Sequence, residues 1–558
     1  MHPAPFQSSQ RRGVDPFAAR AVVALLAIGL SSSASGRPDV ASAAAPRPAR
    51  AAQSAVETVR ACVQREMASG GVIGAAVAVA HDGRVVMAEG FGRKHRDRPD
   101  AVDAATQFRI GSTTKMLTAA GVLRLVDRGL VDLDAPLSRY VPEVRFAEPG
   151  FEDRVTIRDL LQHTSGLPDN SATQESDLYG KPDPAAMGRW VLGQGATIPH
   201  NPPGRFWNYS SANYIFLGHV IERVSGLGFP EYMQREVFTP AGMRDTTFVA
   251  GEAEARGNFA FGHWNDIFNG GLAIWRPSDQ DNWARHPTGY AHSTASDLVR
   301  WATVLIDGGG DVLTPASARL MTSPLVAMES PEGESYGFGV ISQSYRSVAL
   351  KRHPGSAWGW MATLDWVPER RFAVATLTNG FGALYGSATC AIDAFLAPAP
   401  STTPRPSCPQ QPDEWPALVG RYEGRTNVGT PWAWDVAIVD GVPTTTVTRS
   451  DGRRVSTAMT QDCGLAYTSG PRSFRADTDG NGSVDQVVTF FHDPVEPGVV
   501  WIRNRFFVLR RGSPAATATA TATVPTSPAP GPTATVEATK GAPGSRLLLP
   551  LAIRRTDG

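Results

Sequence analysis

A proline-rich stretch, residues 397–416, divides this 558-residue chain into two parts with different hydrophobic patterns. The part before it combines helical and strand patterns. The part after it has short apolar runs at Val436–Val439, Val487–Phe491 and Val499–Leu509, which are typical of strands. Because the chain is too long for one ordinary domain, we expect at least two packed domains. We predict a large α/β (α+β) part followed by a small all-β domain at residues 417–512.

The two ends of the chain differ from these parts. Residues 1–44 place arginines before a short apolar run and small residues, the layout of a cleaved export signal. Residues 513–545 are rich in Ala, Thr and Pro and predict a disordered stalk, because this composition buries too little surface to fold. The apolar and basic tail, residues 546–558, is too short for a transmembrane anchor and suits a sorting or surface-retention tag. We expect a secreted or cell-surface protein, with cell-wall association left open.

The charge pattern implies no nucleic-acid or anionic membrane partner, since 53 basic and 53 acidic residues balance without a basic block. Metal and phosphate-loop motifs are absent from the sequence, so we expect no catalytic metal or cofactor. One segment places Asp477, Asp479, Asn481 and Asp485 at the alternate positions of a calcium loop, but Val488 stands where the closing glutamate belongs. We favour a polar hairpin turn there and leave a structural calcium ion open.

Local patterns predict several elements of the α/β part. An amphipathic helix is expected at Ser54–Ala68, followed by two strands, Val72–Ala80 and Arg84–Phe91. The Asp-Gly pair between these strands signals a tight hairpin. Capping-box spacing begins at Thr156 and again at Thr294, which predicts two helix starts.

A further helical pattern runs from Ser112 through Val126. It places Ser112 at a helix start and Lys115 three residues later on the same face, where the two side chains can meet. A serine hydroxyl is weakly acidic, and a partly desolvated lysine can accept its proton as the serine attacks a carbonyl carbon. The alternative is that Ser112 only caps the helix and Lys115 is a solvated charge. For this spacing taken alone, the alternative is favoured.

Four motifs occur in a characteristic order along the chain. They are Phe108-Arg109-Ile110-Gly111-Ser112-Thr113-Thr114-Lys115, Leu160-Leu161-Gln162-His163-Thr164-Ser165-Gly166-Leu167, Tyr209-Ser210-Ser211 and His353-Pro354-Gly355. Together they resemble the serine β-lactamase superfamily, within it class C enzymes and the related D-Ala-D-Ala carboxypeptidases and esterases. The resemblance covers residues 52–396. It implies a mostly antiparallel sheet flanked by helices, with a helical subdomain inserted between the helix of the first motif and the strand of the last.

The resemblance implies a role for each matching residue. Ser112 corresponds to the acylated nucleophile, Lys115 to its proton partner and Tyr209 to the general base and later acid. A positive Lys115 nearby would favour the phenolate form that such a base needs. The backbone N–H groups of Ser112 and Ser356 would form the oxyanion hole. The alternative for Tyr209 is a packed aromatic residue in an aromatic-rich stretch.

The fourth motif, His353-Pro354-Gly355, resembles a strand on the opposite wall of the family's site. There Gly355 would let a substrate backbone lie close, and the charge of His353 would make binding of a substrate carboxylate depend on pH. The alternative makes His353 a strand-end residue without substrate contact. Ser211 stands where class C β-lactamases carry an asparagine that contacts the substrate amide, and His353 replaces a lysine. Both departures weaken the β-lactamase interpretation.

Four cysteines form an even set in a chain that carries an export signal, so two disulfides are expected, in any of three pairings. Four buried free thiols are the alternative. The resemblance implies that the N- and C-terminal helices of the fold pack together. It thereby makes Cys62–Cys390 a pair and leaves Cys408–Cys463 to tie the β domain to its linker.

The motifs together predict a serine acyl hydrolase that acts through a Ser112 ester on D-residue peptides or carboxylic esters. A class C-like β-lactamase is one alternative, and a catalytically silent wall- or peptide-binding protein is another. His163 and Ser165 belong to a loop that we interpret as structural, so no serine-histidine triad is predicted.

Overall fold

The structure is a computed structural model. It describes residues 47–169, 179–265, 271–328, 333–380, 382–400, 415–426, 430–448, 452–461, 473–476, 486–496, 498–504 and 507–511. The predicted export signal, the stalk, the terminal tail and the candidate calcium loop lie outside these residues. The domain boundaries stay predictions.

The α-helices of the described residues lie in the part of the chain that precedes the proline-rich stretch. Within the described residues the α-helices are α1 (Arg47–Gly70), α2 (Thr114–Asp127), α3 (Ile157–Gln162), α4 (Ala186–Leu192), α5 (Ser211–Ser225), α6 (Phe229–Met233), α7 (Thr239–Ala241), α8 (Ala250–Ala255), α9 (His286–Gly289), α10 (Ala295–Ile306), α11 (Pro315–Thr322) and α12 (Tyr385–Leu396). Thr156 and Thr294 cap α3 and α10, and each side chain accepts a hydrogen bond from the N–H three residues later. These two predicted helix starts are confirmed.

An antiparallel sheet of eight strands forms the centre of this part. The strands before the proline-rich stretch are β1 (Val72–His81), β2 (Arg84–Gly92), β3 (Phe108–Arg109), β4 (Gly262–Asn265), β5 (Leu272–Trp275), β6 (His292–Ser293), β7 (Val326–Ala327), β8 (Ser335–Tyr336), β9 (Ile341–Tyr345), β10 (Val348–Ala357), β11 (Trp360–Val367) and β12 (Phe372–Gly380). The sheet has the order β2-β1-β12-β11-β10-β9-β8-β7, while β3 pairs with β6 and β4 with β5. The first strand of this part, β1, therefore pairs with its last strand, β12.

The predicted hairpin joins β1 and β2. Asp82 and Gly83 have φ angles of 51° and 75°, as a tight two-residue hairpin turn requires. Successive side chains of a strand point to opposite faces, and β1 is buried on both. Ala76 and Ala78 join the core that contains α2 and α10, whereas Val77 joins the core that contains α1 and α12.

A second antiparallel sheet of nine strands follows the proline-rich stretch. Its strands are β13 (Gly420–Thr426), β14 (Pro431–Val439), β15 (Val442–Thr448), β16 (Arg454–Ala458), β17 (Thr460–Gln461), β18 (Ser473–Ala476), β19 (Gln486–His492), β20 (Val500–Asn504) and β21 (Phe507–Arg511). The first and last strands in sequence are neighbours in this sheet, because β13 pairs with both β14 and β21. Tyr422, Trp434 and Phe490 lie in its own apolar core. The predicted fold class, a mixed α/β part followed by a small all-β domain, is confirmed.

A disulfide joins α1 to α12. Cys62 and Cys390 have an S–S distance of 2.04 Å across a sequence separation of 328 residues, which confirms the pairing that the resemblance implied. Cys408 and Cys463 lie outside the described residues. Among the helices that the structure describes, none is long and apolar enough to cross a membrane.

We expect the double variant Cys62→Ser/Cys390→Ser to be less stable than the wild type. Cross-links that close long loops restrict the unfolded chain, and removing a native disulfide typically costs about 2–5 kcal/mol. The midpoint of urea unfolding, followed by circular dichroism, measures the difference. The control is Gln53→Ser, which places a serine at an exposed position of α1, leaves α1 and α12 linked and should keep the wild-type midpoint. An unchanged midpoint for the first variant would contradict the stabilising role.

Candidate active site

Ser112 lies in a 3₁₀ turn, Gly111–Thr113, between β3 and α2. Gly111 has a φ of 53°, in the left-handed region that favours glycine. A Cβ at this position would lie 2.3 Å from the backbone nitrogen of Ser356 on β10. Only a residue without a side chain fits here, so β10 lies directly against the turn that carries the predicted nucleophile.

Gly355 completes this contact from the strand side. A Cβ on Gly355 would lie 2.0 Å from the carbonyl oxygen of Ile110, and Thr113 Oγ1 donates a hydrogen bond to the carbonyl of His353 (3.1 Å). The predicted reason for this glycine was room for a substrate backbone. In the structure the Ile110 carbonyl occupies that side of Gly355, so the glycine allows the nucleophile turn itself to come close.

Lys115 meets Ser112 as the helical spacing predicted. Lys115 Nζ lies 3.3 Å from Ser112 Oγ and donates a hydrogen bond to the carbonyl of Thr288 on α9 (2.8 Å). Its side chain is 0% exposed. The alternative of a solvated lysine is therefore wrong, and the ammonium group is held by the protein.

Tyr209 is the third predicted group at this position. It lies in an extended segment just before α5, and its hydroxyl donates a hydrogen bond to Ser112 Oγ at 2.7 Å. Lys115 Nζ lies 4.9 Å from the centroid of the Tyr209 ring. Groups within hydrogen-bond reach of the serine can take or return its proton. The structure thus brings together the three residues predicted to carry the chemistry.

The loop that contains His163 holds the segment of Tyr209 in place. The N–H of Asn208 donates to the His163 carbonyl (2.8 Å), and the N–H of Ser210 donates to His163 Nδ1 (3.2 Å). Ser165 Oγ donates to an asparagine side chain of α5 (2.6 Å). These contacts agree with a structural role for the loop.

Two further predicted positions flank the nucleophile. Ser356 follows Gly355 on β10, beside the turn of Ser112, where its backbone N–H was expected to contribute to an oxyanion hole. Ser211 is the first residue of α5, is 5% exposed, and its N–H donates to Asp169 Oδ1 (3.0 Å). The oxyanion role of Ser356 and the substrate contact of Ser211 stay predictions.

His353 lies in the interior of β10 and is 2% exposed. Its Nδ1 is 2.7 Å from the Pro354 carbonyl, which can only accept, and its Nε2 is 3.1 Å from the hydroxyl of Tyr336. Burial, and then the positive Lys115, lower the pKa of His353 to about 3. The predicted charge on His353 is therefore wrong, because a ring this buried stays neutral at ordinary pH. Contact of His353 with a substrate stays a prediction.

Tyr336 was missed because a lone tyrosine in a short strand has no distinguishing pattern. Its ring is fully buried, with its centroid 5.0 Å from that of His163. Burial raises the pKa of Tyr336 well above its ordinary value. The hydroxyl therefore keeps its proton and donates a hydrogen bond to Nε2 of His353. Tyr336 connects the loop that holds Tyr209 to the strand opposite.

Arg109 stands in the first motif and received no role from the sequence. It is fully buried, and it donates hydrogen bonds to the carbonyls of Gln280 (3.0 Å) and Pro277 (2.5 Å). Its guanidinium lies 4.5 Å from the centroid of the Tyr290 ring. These contacts anchor the chain on both sides of α9, which supplies the Thr288 carbonyl to the lysine.

Aromatic side chains border the site beyond Ser356. Trp358, in the turn between β10 and β11, has a φ of 41°, a conformation that a bulky residue adopts only when its surroundings hold it. Its indole N–H donates to the hydroxyl of Tyr290 (3.2 Å). Its ring lies 5.9 Å from that of Tyr179 and 6.1 Å from that of Trp264. We call these four residues the aromatic wall.

No group of three or more His, Cys, Asp or Glu side chains within the described part of the chain could hold a metal ion. The candidate calcium loop at residues 477–485 lies outside that part. The polar hairpin turn favoured there stays a prediction, with a structural calcium ion as the open alternative, and the expectation that catalysis uses no cofactor also stays a prediction.

Comparison with known proteins is consistent with this geometry. A family model described as Beta-lactamase matches residues 59–395, more than half of the chain. Protein flp of Staphylococcus aureus (strain MRSA252) is 22% identical over 329 residues, which cover 59% of this chain and 63% of flp. The chain thus spans less than two thirds of that relative. Penicillin-binding protein 4 of Amycolatopsis lactamdurans is 29% identical over 320 residues, which cover 55% of this chain and 81% of the relative.

Solved structures share the fold. The crystal structure of SurE has a TM-score of 0.62 at 22% identity, and the match covers 83% of this chain and 100% of SurE. D-amino acid amidase from Ochrobactrum anthropi SV3 has a TM-score of 0.52 at 22% identity, with 61% of this chain and 98% of the amidase covered.

We expect His353→Gln to make the protein less sensitive to acid. The pKa of His353 is about 3 when folded and 6.5 ordinarily, so between these values only the unfolded state binds the proton. The stabilisation that comes from the neutral His353 is fully present above pH 6.5 and is lost as the pH falls towards 3. At pH 5 the loss amounts to about 2 kcal/mol for this group.

Urea unfolding at pH 7.5 and pH 5.0 measures this effect. The decrease in free energy of unfolding between the two pH values should be smaller for His353→Gln than for the wild type. The exposed His492 provides the matched control variant, His492→Gln, which should behave like the wild type. Equal decreases for wild type and His353→Gln would show that His353 already carries its proton in the folded state.

Proposed function

The chain belongs to the beta-lactamase family, and on this premise we propose that it hydrolyses D-residue peptides or carboxylic esters through an acyl-enzyme at Ser112. The proposal depends on one observation above all. Ser112 Oγ lies 2.7 Å from the Tyr209 hydroxyl and 3.3 Å from Lys115 Nζ. The Tyr209 oxygen, acting as a phenolate, can accept the serine proton, and the ammonium group of Lys115 beside it balances the negative charge.

The first half of the reaction forms the ester. Ser112 Oγ attacks the substrate carbonyl carbon while its proton passes to the oxygen of Tyr209, acting as a phenolate, and the positive Lys115 lies beside both groups. The backbone N–H groups of Ser112 and Ser356 would stabilise the oxyanion. The intermediate collapses, the bond to the leaving amine or alcohol breaks, and Tyr209 returns the proton to that leaving group.

The second half releases the acyl group. A water molecule loses its proton to Tyr209 and attacks the ester carbon, and the Ser112 oxygen leaves and takes the proton back. The same base therefore serves both steps, and the products are a carboxylic acid and an amine or alcohol. No step needs a redox partner.

The choice of substrate has separate support. One relative is a penicillin-binding protein and one protein of similar fold is a D-amino acid amidase. Ser211 replaces the asparagine expected in a class C β-lactamase, which disfavours fast β-lactam turnover. The aromatic wall beside Ser356 suits a substrate with an aromatic or other apolar side chain next to its scissile carbonyl.

We propose that the protein acts outside the cytoplasm, where such peptides and esters reach it. The Cys62–Cys390 disulfide supports this location, because disulfides persist in oxidising compartments. Cell-wall association would follow if wall-derived D-peptides are the substrates.

The proposal predicts that a fluorophosphonate forms a covalent adduct with the wild type and none with Ser112→Ala, as measured by intact mass. Tyr209→Phe should react about 10²–10⁴-fold more slowly, because it lacks the proton acceptor. Tyr345→Phe is the matched control. Its hydroxyl bonds Asp393 of α12, remote from the serine, so its rate should equal that of the wild type.

A substrate panel then separates the functions. Hydrolysis of D-phenylalanine amide or 4-nitrophenyl esters, with slow turnover of a chromogenic cephalosporin, is the expected result. Rapid cephalosporin turnover would instead identify a class C-like β-lactamase. Absence of an adduct on the wild type would favour the silent binding protein.

Trp358→Leu should raise KM for D-phenylalanine amide about tenfold relative to D-alanine amide, since one apolar contact contributes about 1–3 kcal/mol to discrimination. Tryptophan and leucine are about equally strained by the positive φ at position 358, so the substitution changes the side chain and not the backbone strain. Trp432→Leu, a partly buried tryptophan of the small sheet, is the matched control. An equal change in KM for both amides would show that the aromatic wall does not line the binding site.

A further inference from the structure

The small β domain packs directly onto the segment that carries Tyr209. Phe206, three residues before this tyrosine, lies between two aromatic residues of the nine-stranded sheet. Its ring centroid is 4.8 Å from that of Phe491 and 5.2 Å from that of Trp501. All three side chains belong to one buried apolar cluster. The second sheet therefore packs against the segment that carries Tyr209.

An ion pair extends the same contact. Arg205 Nε lies 2.9 Å from Asp493 Oδ2, and its Nη2 lies 2.6 Å from Glu496 Oε1. The Asp493 side chain is 0% exposed. Burial would raise the pKa of Asp493, but hydrogen bonds from Arg205, Trp501 and nearby backbone N–H groups lower it to about 2. The carboxylate stays charged, so this contact persists across the ordinary pH range.

Arg503 of β20 makes the most direct contact with this segment. It is 6% exposed, and its two terminal nitrogens donate hydrogen bonds to the carbonyls of Trp207 and Met328. The guanidinium also lies 5.0 Å from the centroid of the Trp207 ring. A guanidinium holds its donors in a rigid fork. It therefore fixes the Trp207 carbonyl relative to the chain that follows β7.

The Trp207 carbonyl matters because it lies in the segment that leads into Tyr209. Trp207 stands two residues before Tyr209, and the next residue, Asn208, is already bonded to His163. The backbone that leads into the tyrosine is thus held by His163 on the catalytic side and by Arg503 from the second sheet. Placement errors near 1 Å in a catalytic group can cost about 10²-fold in rate.

We propose that the β domain is a positioning element of the active site, in which Arg503 fixes the Trp207 carbonyl and thereby the distance between the Tyr209 hydroxyl and Ser112 Oγ. This inference rests on the proposed function, because it assigns the proton transfer to Tyr209. Arg503 acts through the backbone and touches no reacting atom, so it is a positioning residue.

The test uses the full chain and compares Arg503→Met, Arg503→Lys and Arg421→Met. Methionine keeps an apolar side chain of similar length but donates no hydrogen bond. Lysine keeps the charge and reaches one carbonyl at a time. Arg421 lies in the same sheet and pairs with Glu423 and Asp435 within it, so it is the matched control.

We expect Arg503→Met to lower the rate of fluorophosphonate acylation of Ser112, and kcat for an ester that the wild type hydrolyses, by about 10- to 100-fold. KM should change less than threefold, because the pocket walls remain. Arg503→Lys should fall between Arg503→Met and the wild type, and Arg421→Met should match the wild type. Circular dichroism and thermal melting verify that each variant is folded.

Each outcome separates the two proposals. A wild type that forms no adduct would overturn the function proposed for Ser112, and with it this inference. A reactive wild type with an equally reactive Arg503→Met would overturn the positioning role alone. If Arg503→Met does not fold, Arg503→Lys decides, and wild-type rates for that folded variant would overturn the inference. A loss expressed only in KM would do so as well.

Discussion

The close approach of β10 to the Ser112 turn is the constraint on which the site depends. Gly111 and Gly355 stand where any side chain would collide with the backbone of the other segment. The hydrogen bond from Thr113 to the His353 carbonyl then ties the two segments together. Because the turn carries the nucleophile and the strand carries one wall of the site, this single contact sets the geometry in which a substrate would be held.

Buried polar groups surround that contact. Lys115, Arg109 and His353 are each almost fully removed from solvent, and each has a backbone carbonyl within hydrogen-bond distance. A buried polar group without a partner would be costly, whereas a satisfied one is held rigidly. Such fixed charges and dipoles are what a site needs to stabilise developing charge without reorganising. The neutral His353 belongs to this rigid framework as an acceptor for Tyr336.

The two sheets are joined through the catalytic segment. Arg503 and Trp207 are 296 residues apart in sequence, yet the guanidinium is buried against the chain that leads into the predicted base. An independent module would more often have a polar, exposed interface with its neighbour. The apolar contacts of Phe206 and the buried ion pair of Asp493 indicate instead that the second sheet completes the environment of the first.

The sequence by itself determined what depends on neighbours a few residues away. Helical spacing placed Ser112 and Lys115 together, the Asp-Gly pair set the first hairpin, and the capping threonines began α3 and α10, because backbone periodicity is local. The resemblance of Tyr209-Ser210-Ser211 to a family motif, and not a local pattern, led to Tyr209. Only the tertiary structure decided the charge state of His353 and the partners of Arg503. Burial and long-range hydrogen bonds arise when distant segments pack, and no local pattern encodes which segments will meet.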